Sequence, residues 1–162
     1  MRENFALNIQ KSIYEKTAYP SNKGEFEKNF LEFADSDSEV EKLIKINENY
    51  HNFAFLRYIR TDGLISSYCP DFIVKVKDII YLIETKAQKD INNDNVKQKQ
   101  KSALDWCKKI NNLPQEERMN SIWQYVLLDD NTFYAMKTQG ASTKDICEYC
   151  KLTNAKISDS LF

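Results

Sequence analysis

An α/β fold, with a mixed central sheet of about four to five strands flanked by helices, is expected from three features of this 162-residue chain. Phe72 to Lys77 alternates apolar and polar residues, as a half-buried strand does. Ile79 to Ile83 is an unbroken apolar run suited to a strand covered on both faces. Segments of helical period lie before and after this pair, and a second apolar strand, Ile122 to Leu128, follows them.

Taken in order, Phe5, Ile9 and Ile13 have helical spacing, which predicts a helical N-terminal extension over about 1–20. Tyr19-Pro20-Ser21-Asn22 breaks it and offers a cap for a helix over about 23–34, whose apolar stripe is Phe26, Phe30, Leu31, Phe33 and Ala34. Val40, Leu43 and Ile44, after an Asp37 or Ser38 cap, predict a short second helix. Residues 53–60 alternate as a first core strand, and Thr61-Asp62-Gly63 is a turn signal. The strands beginning at Asp71 and Ile79 follow, joined by a two-residue turn at Lys77-Asp78 or Asp78-Ile79.

A polar loop from Gln88 to Asn93 then leads into a helix over about 94–110. Its inner seam is Val96, Gln100, Ala103, Cys107 and Ile110, and Lys97, Lys101, Lys108 and Lys109 lie largely outward. Leu113-Pro114 ends it, and Ile122 to Leu128 is the last core strand. Asp129-Asp130-Asn131 reads as a turn into an edge strand, Thr132 to Met136, so that 23–128 forms the core and 129–162 a hairpin and helix. Ser142 with Asp145 resembles a capping box opening a terminal helix to about Leu152, and the residues from Thr153 onward have the composition of a weakly ordered tail.

A chain of this length is one domain's worth, too short to add an ATP-driven motor. No apolar stretch approaches the roughly 20 residues of a membrane span, and the start lacks a signal-peptide pattern, so no membrane association and a cytoplasmic location are expected. The net charge of −1 argues against a protein that grips nucleic acid chiefly by long-range attraction. The charge is uneven: Lys86 to Lys109 carries seven lysines against three aspartates, and Glu25 to Glu48 eight acids against three lysines. Four cysteines, two of them in Cys147-Glu148-Tyr149-Cys150, and a single histidine, His51, fall short of the ligand pairs a zinc site needs, and reduced, partly buried thiols are expected.

The chemistry concentrates at Asp71, Glu84 and Lys86. Opposed residues of an antiparallel hairpin share a face, so a turn at Lys77-Asp78 sets Asp71 opposite Glu84, and one at Asp78-Ile79 sets it opposite Lys86. Side chains two apart on a strand also share a face, so either turn gathers all three. Two carboxylates there suit a hard divalent ion, and oxygen donors point to Mg²⁺. Glu27 has Phe30, Leu31 and Ala34 at i+3, i+4 and i+7, which places a carboxylate inside the apolar stripe of its helix, where it needs a partner.

Pro70-Asp71 followed by Glu84-Thr85-Lys86 resembles the motif of the PD-(D/E)xK nuclease superfamily. The closer similarity is to the C-terminal endonuclease domain of type III restriction enzyme restriction subunits and of related antiviral defence helicase-nucleases. It runs from Gly24-Glu25-Phe26-Glu27 through both hairpin strands and Ala103 to Cys107 as far as Trp123 to Leu127, most of the chain. At the Lys77-Asp78-Ile79 turn, related sequences often have glycine. The resemblance implies a restriction-endonuclease-like core and a Mg²⁺-dependent DNA endonuclease, with Mn²⁺ as substitute and 5′-phosphate and 3′-hydroxyl products. Asp71, Glu84, the Thr85 carbonyl and Glu27 would hold the metal, and Lys86 would serve the attacking water or the transition state. Lys97, Gln100 and Lys101 are candidate DNA contacts. Implied partners are a helicase or translocase and a methyltransferase that reads the target, and paired cuts would need a dimer on DNA. A Holliday-junction resolvase or repair nuclease, and a non-catalytic nucleic-acid-binding module of the same fold, are the alternatives.

Overall fold

The computed structural model describes residues 6–19, 24–87 and 94–153. Its elements in chain order are β1 (Ala6–Leu7), β2 (Thr17–Ala18), α1 (Glu25–Ser36), β3 (Val40–Lys45), β4 (Leu56–Ile59), β5 (Ile65–Tyr68) and β6 (Phe72–Val76). They continue with β7 (Ile79–Lys86), α2 (Asp94–Asn111), β8 (Ile122–Asp129), α3 (Asp130–Thr138) and α4 (Thr143–Cys150). A four-stranded mixed sheet in the order β3-β6-β7-β8 lies at the centre. The β3–β6 and β6–β7 pairs are antiparallel, and β7–β8 is parallel. The pairs β1–β2 and β4–β5 form small sheets of their own.

Both faces of the central sheet are covered, which is why β7 reads as a continuous apolar run. Phe72, Val74, Tyr81, Ile83, Val126 and Leu128 pack on one side against α1, α3 and α4. Leu82 and Tyr125 pack on the other against Ala103 and Cys107 of α2, with Leu56 of β4 and Tyr68 of β5. Because α2 crosses between β7 and the parallel β8, it covers the second face, as a crossover connection requires. No helix among the described residues is long and apolar enough to cross a membrane.

Several segments take a form other than the one their spacing predicts. The N-terminal segment is not a helical extension: β1 pairs with β2, Ile9 is buried and Ile13 is 65% exposed, so the two do not share one buried face. The carboxylate of Asp35 on α1 accepts from the backbone N–H groups of Gln10 and Lys11, replacing helical partners. Val40 to Lys45 is the edge strand β3 and not a helix. A register shift between Val40 and Lys42 lets residues three apart, Val40 and Leu43, face the same side, and this bulge mimics helical spacing. The expected first core strand, 53–60, stands outside the central sheet: it is a 3₁₀ turn, Asn52–Ala54, followed by β4, which pairs with β5 and packs on α2. The order helix, three strands, helix, strand therefore holds, with β3 in the place expected for residues 53–60.

Thr132 to Met136 is helical, not an edge strand, so residues 129–153 form a helix pair where a hairpin and helix are expected. Asp129 is the cap of α3, accepting from the N–H of Thr132 at 2.8 Å; aspartate favours turns and helix caps alike, which is what the turn reading confused. The helix drives the fully buried Phe133 among Phe26, Phe30 and Phe33 at centroid separations of 5.5 to 5.8 Å. The capping box of Ser142 and Asp145 is present and opens α4. Helix α1 begins at Glu25 after Gly24, which makes no side-chain cap. Pro20-Ser21-Asn22, the loop Gln88 to Asn93 and the tail beyond Thr153 lie outside the described residues. None of the four cysteines is in a disulfide, and Cys107, Cys147 and Cys150 are buried.

The hairpin turn is Lys77-Asp78, with Val76 opposite Ile79 and Phe72 opposite Ile83. Lys77 adopts a left-handed conformation, φ 52°, that a side chain disfavours by roughly 1–2 kcal/mol. Lys77→Gly is therefore expected to leave stability unchanged or raise it by up to ~1 kcal/mol, and the β-branched Lys77→Val to lower it by about 1–2 kcal/mol. Urea unfolding of the two variants checks this; a Gly variant less stable than the Val variant contradicts the turn.

Candidate active site

The β6–β7 register ends at the Phe72–Ile83 pair, one place short of Asp71 and Glu84. The N–H of Asp71 donates to the carbonyl of Ile83 at 2.8 Å, so that Asp71 and Phe72 both face Ile83 and the ladder bulges here. Pro70 cannot donate to such a ladder, and Asp71 is where pairing resumes after it. Of the two turns that the spacing permits, the structure takes Lys77-Asp78, but the bulge shifts Asp71 out of the expected pairing with Glu84, and its carboxylate meets Thr85 and Lys45 instead.

Thr85 fixes the Asp71 carboxylate. Its N–H and its hydroxyl both donate to Asp71 Oδ2, at 2.7 and 2.6 Å. A role for Thr85 through its carbonyl is expected from the motif, and the contacts seen here are made by its donors. Asp71→Ala accordingly strips a nearly buried residue of two acceptor contacts, a cost of about 1–3 kcal/mol that offsets any relief of carboxylate repulsion.

The other oxygen of Asp71 faces Lys45. The Lys45 ammonium lies 2.9 Å from Glu27 Oε2 and 3.5 Å from Asp71 Oδ1, and 5.0 Å over the ring of Phe72. It thus bridges α1 to the first residue of the hairpin, and gives the inward-facing Glu27 its partner. Glu84 pairs instead with Lys86, Nζ to Oε1 at 2.6 Å. The contacts fall into two groups, Asp71 with Thr85, Lys45 and Glu27, and Glu84 with Lys86, and the first of them includes Lys45. Nothing in the spacing singled out Lys45, because the bulge disguised its strand as a helix and hid the fact that Lys45 shares the face of Phe72.

Three carboxylates and two ammoniums in a largely dry site interact strongly. Burial first, and then the Asp71 charge, push the Glu84 carboxyl up to about 7. Burial and Asp71 also raise Glu27, against the pull of Lys45. Burial alone would lower Lys86, but Glu84, Asp71 and Glu27 together raise it, so it stays an ammonium. Lys99 of α2, its ammonium 5.1 Å over the Tyr68 ring, reaches near enough to hold Glu84 down somewhat. Gln100 is buried on the inner seam of α2, whereas Lys101 is exposed and Lys97 half-buried.

Fit to a divalent cation is testable on Glu84. Its Oε2 is buried and has no hydrogen-bond partner among the described residues, an acceptor that a cation would satisfy. No group of three or more Asp, Glu, His and Cys side chains among the described residues forms a ready metal cage. Mg²⁺ does not require one, because it keeps several waters and takes one or two carboxylates together with substrate phosphate. All-oxygen donors from Asp71 and Glu84 fit that ion. Compared with known proteins, the chain matches no family model, no curated protein and no solved structure.

The raised Glu84 carboxyl makes stability depend on pH. A folded-state value above the ordinary 4.5 means that the folded protein holds this proton more tightly than the unfolded chain, so stability is greatest below about 4.5 and falls as the pH rises to about 7. The full fall from this one group is about 3 kcal/mol. In chelator, the melting temperature should drop between pH 5 and 7.5, and Glu84→Gln should remove most of the drop. Parallel profiles for wild type and Glu84→Gln would contradict the assignment.

Proposed function

We propose that this chain is a Mg²⁺-dependent DNA endonuclease domain of the PD-(D/E)xK superfamily, of the restriction and antiviral defence type, with a restriction-endonuclease-like core. The observation that carries the reading is that Asp71, held by Thr85 and joined through Lys45 to Glu27 of the first helix, lies near enough to the Lys86–Glu84 pair for its charge to raise the Glu84 carboxyl. The succession α1, β3, β6, β7, α2, β8, with its mixed sheet, supports it at the level of fold by analogy.

When bound, the cation supplies Lewis acidity at the scissile phosphate and lowers the pKa of a water. Asp71, Glu84 and the Thr85 carbonyl would hold it, with Glu27 joining directly or through water. Mn²⁺ would substitute. Thr85 serves this by orienting Asp71 before any ion arrives, which is preorganisation by two hydrogen bonds. Glu84 must give up its proton to become a ligand, so affinity for the ion rises with pH through about 7. Lys86, kept charged by its neighbours, positions the attacking water or stabilises the charge developing on phosphorus. Lys97, Gln100 and Lys101 on α2 are proposed contacts to the DNA backbone.

DNA is the substrate, and a net charge of −1 leaves little long-range attraction for it. A helicase or translocase, as a further domain or subunit, would raise the local DNA concentration, and a methyltransferase would supply target recognition. Two copies acting together would cut both strands.

Lys86→Ala should lower Mg²⁺-dependent plasmid nicking by about a hundredfold or more, yet bind Mn²⁺ in calorimetry nearly as wild type does. Asp71→Ala should lose both. Comparable nicking by wild type and Lys86→Ala would sink the assignment. Cleavage confined to four-way junctions would point to a resolvase, and DNA binding without cleavage under any metal to a binding module.

A further inference from the structure

Part of the charged site opens on a cavity of about 680 Å³ that also has aromatic lining. Glu27, Lys45 and Asp71 line it, together with Tyr14, Tyr50 and His51. Such a volume falls within the roughly 300–1,000 Å³ of ligand pockets. Nothing in the cleavage chemistry uses the aromatic lining.

The aromatic wall is braced. The backbone N–H of Asn47 donates to His51 Nδ1 at 2.9 Å, which leaves the ring proton on Nε2, and Nε2–H donates to the Tyr14 hydroxyl at 2.9 Å. The Tyr14 and His51 rings also stack, at 5.4 Å between centroids and 19° between planes. His51 is buried, whereas Tyr14 is 43% and Tyr50 80% exposed. Large aromatic faces open to water at the mouth of a cavity are poorly explained by packing and suit a flat apolar ligand.

We infer that this wall is a stacking shelf for an unpaired nucleobase, and that the substrate is DNA with a single-stranded nucleotide beside the scissile phosphate, such as an overhang, a flap or a single strand. The inference rests on the endonuclease reading and deepens it. A phosphate at Asp71 and a base against Tyr14 and Tyr50 are the two parts of one nucleotide, one charged and one aromatic. A base inside a duplex has both faces covered by its neighbours and cannot offer one to the shelf, whereas an unpaired base loses little by moving there. Stacking is indifferent to sequence, because every base has a π-face, so the shelf selects strand structure and not a target sequence. The acidic groups lining the cavity, Glu27, Glu48 and Asp71, are set against Lys16 and Lys45, so the contact with the base depends on stacking more than on charge.

The test uses Lys86→Ala protein, which binds without cutting, and DNA with 2-aminopurine as the terminal base of a short overhang. Quenching of its fluorescence on binding reports stacking. Binding at least tenfold tighter than to a blunt duplex is expected, with about a tenfold loss in Tyr50→Ala and recovery in Tyr50→Trp. Tyr50 is exposed, so its replacement leaves the core intact, and circular dichroism checks this. Equal affinity for blunt and overhung DNA, or no effect of Tyr50→Ala, overturns the shelf. A free 2-aminopurine nucleotide bound as tightly as the overhung DNA also overturns it, in favour of a small-nucleotide site. Wild-type cleavage of the same overhung DNA in Mg²⁺ is read separately: cutting without quenching removes the shelf and keeps the nuclease, and quenching without cutting removes the nuclease and keeps the shelf.

Discussion

The pairing of β6 with β7 across Lys77-Asp78 is the constraint on which the rest of the site depends. A slip by one residue in a two-faced strand pair would move every side chain to the opposite face, and both faces here are packed. The core thus holds the register, with Phe72 and Ile83 on one side and Leu82 on the other, and the bulge just beyond it sets Asp71 against Thr85 and Lys45. The left-handed Lys77 is the local strain that goes with so tight a turn. Specificity of packing in the core is converted directly into geometry at the carboxylates.

The cluster that results is electrostatically expensive, and its ammoniums offset that cost. Lys45 shares itself between Glu27 and Asp71, and Lys86 sits on Glu84. Buried ion pairs of this kind seldom add much stability, because the desolvation of both partners cancels most of the attraction. They explain why Glu27 and Asp71 can both be held against Lys45 in the folded protein. What they leave unfinished is Glu84, with one oxygen buried and unpartnered and a carboxyl that titrates near neutrality. Charge imbalance of this sort marks functional sites more often than structural ones.

The legible parts of the chain were those where one local signal had one meaning. The apolar run of β7, the helical seam of α2 and the capping box of Ser142 and Asp145 each took the predicted form. The misread parts were those where two structures share a signature. The bulge in β3 gave Val40 and Leu43 a helical spacing, the alternation of 53–60 belonged to a hairpin outside the main sheet, and Asp129 was a helix cap and not a turn. Lys45 was invisible for the same reason, because its face depends on that bulge.

By itself the sequence determined that Glu84 and Lys86 share a face, since strand side chains alternate with period two, whereas the bulge at Asp71-Phe72, which breaks that parity for Asp71, was set by the folded structure. It also determined that Glu27 looks inward, because its apolar neighbours recur at helical spacing. Only the tertiary structure decided which of two turns forms, because the choice lies in the packing of both sheet faces and not in the turn residues. It alone brought Lys45 to Glu27 and Asp71, and the Tyr14–His51 pair to the wall of the same cavity, because these contacts join segments separated in the chain that no local periodicity relates.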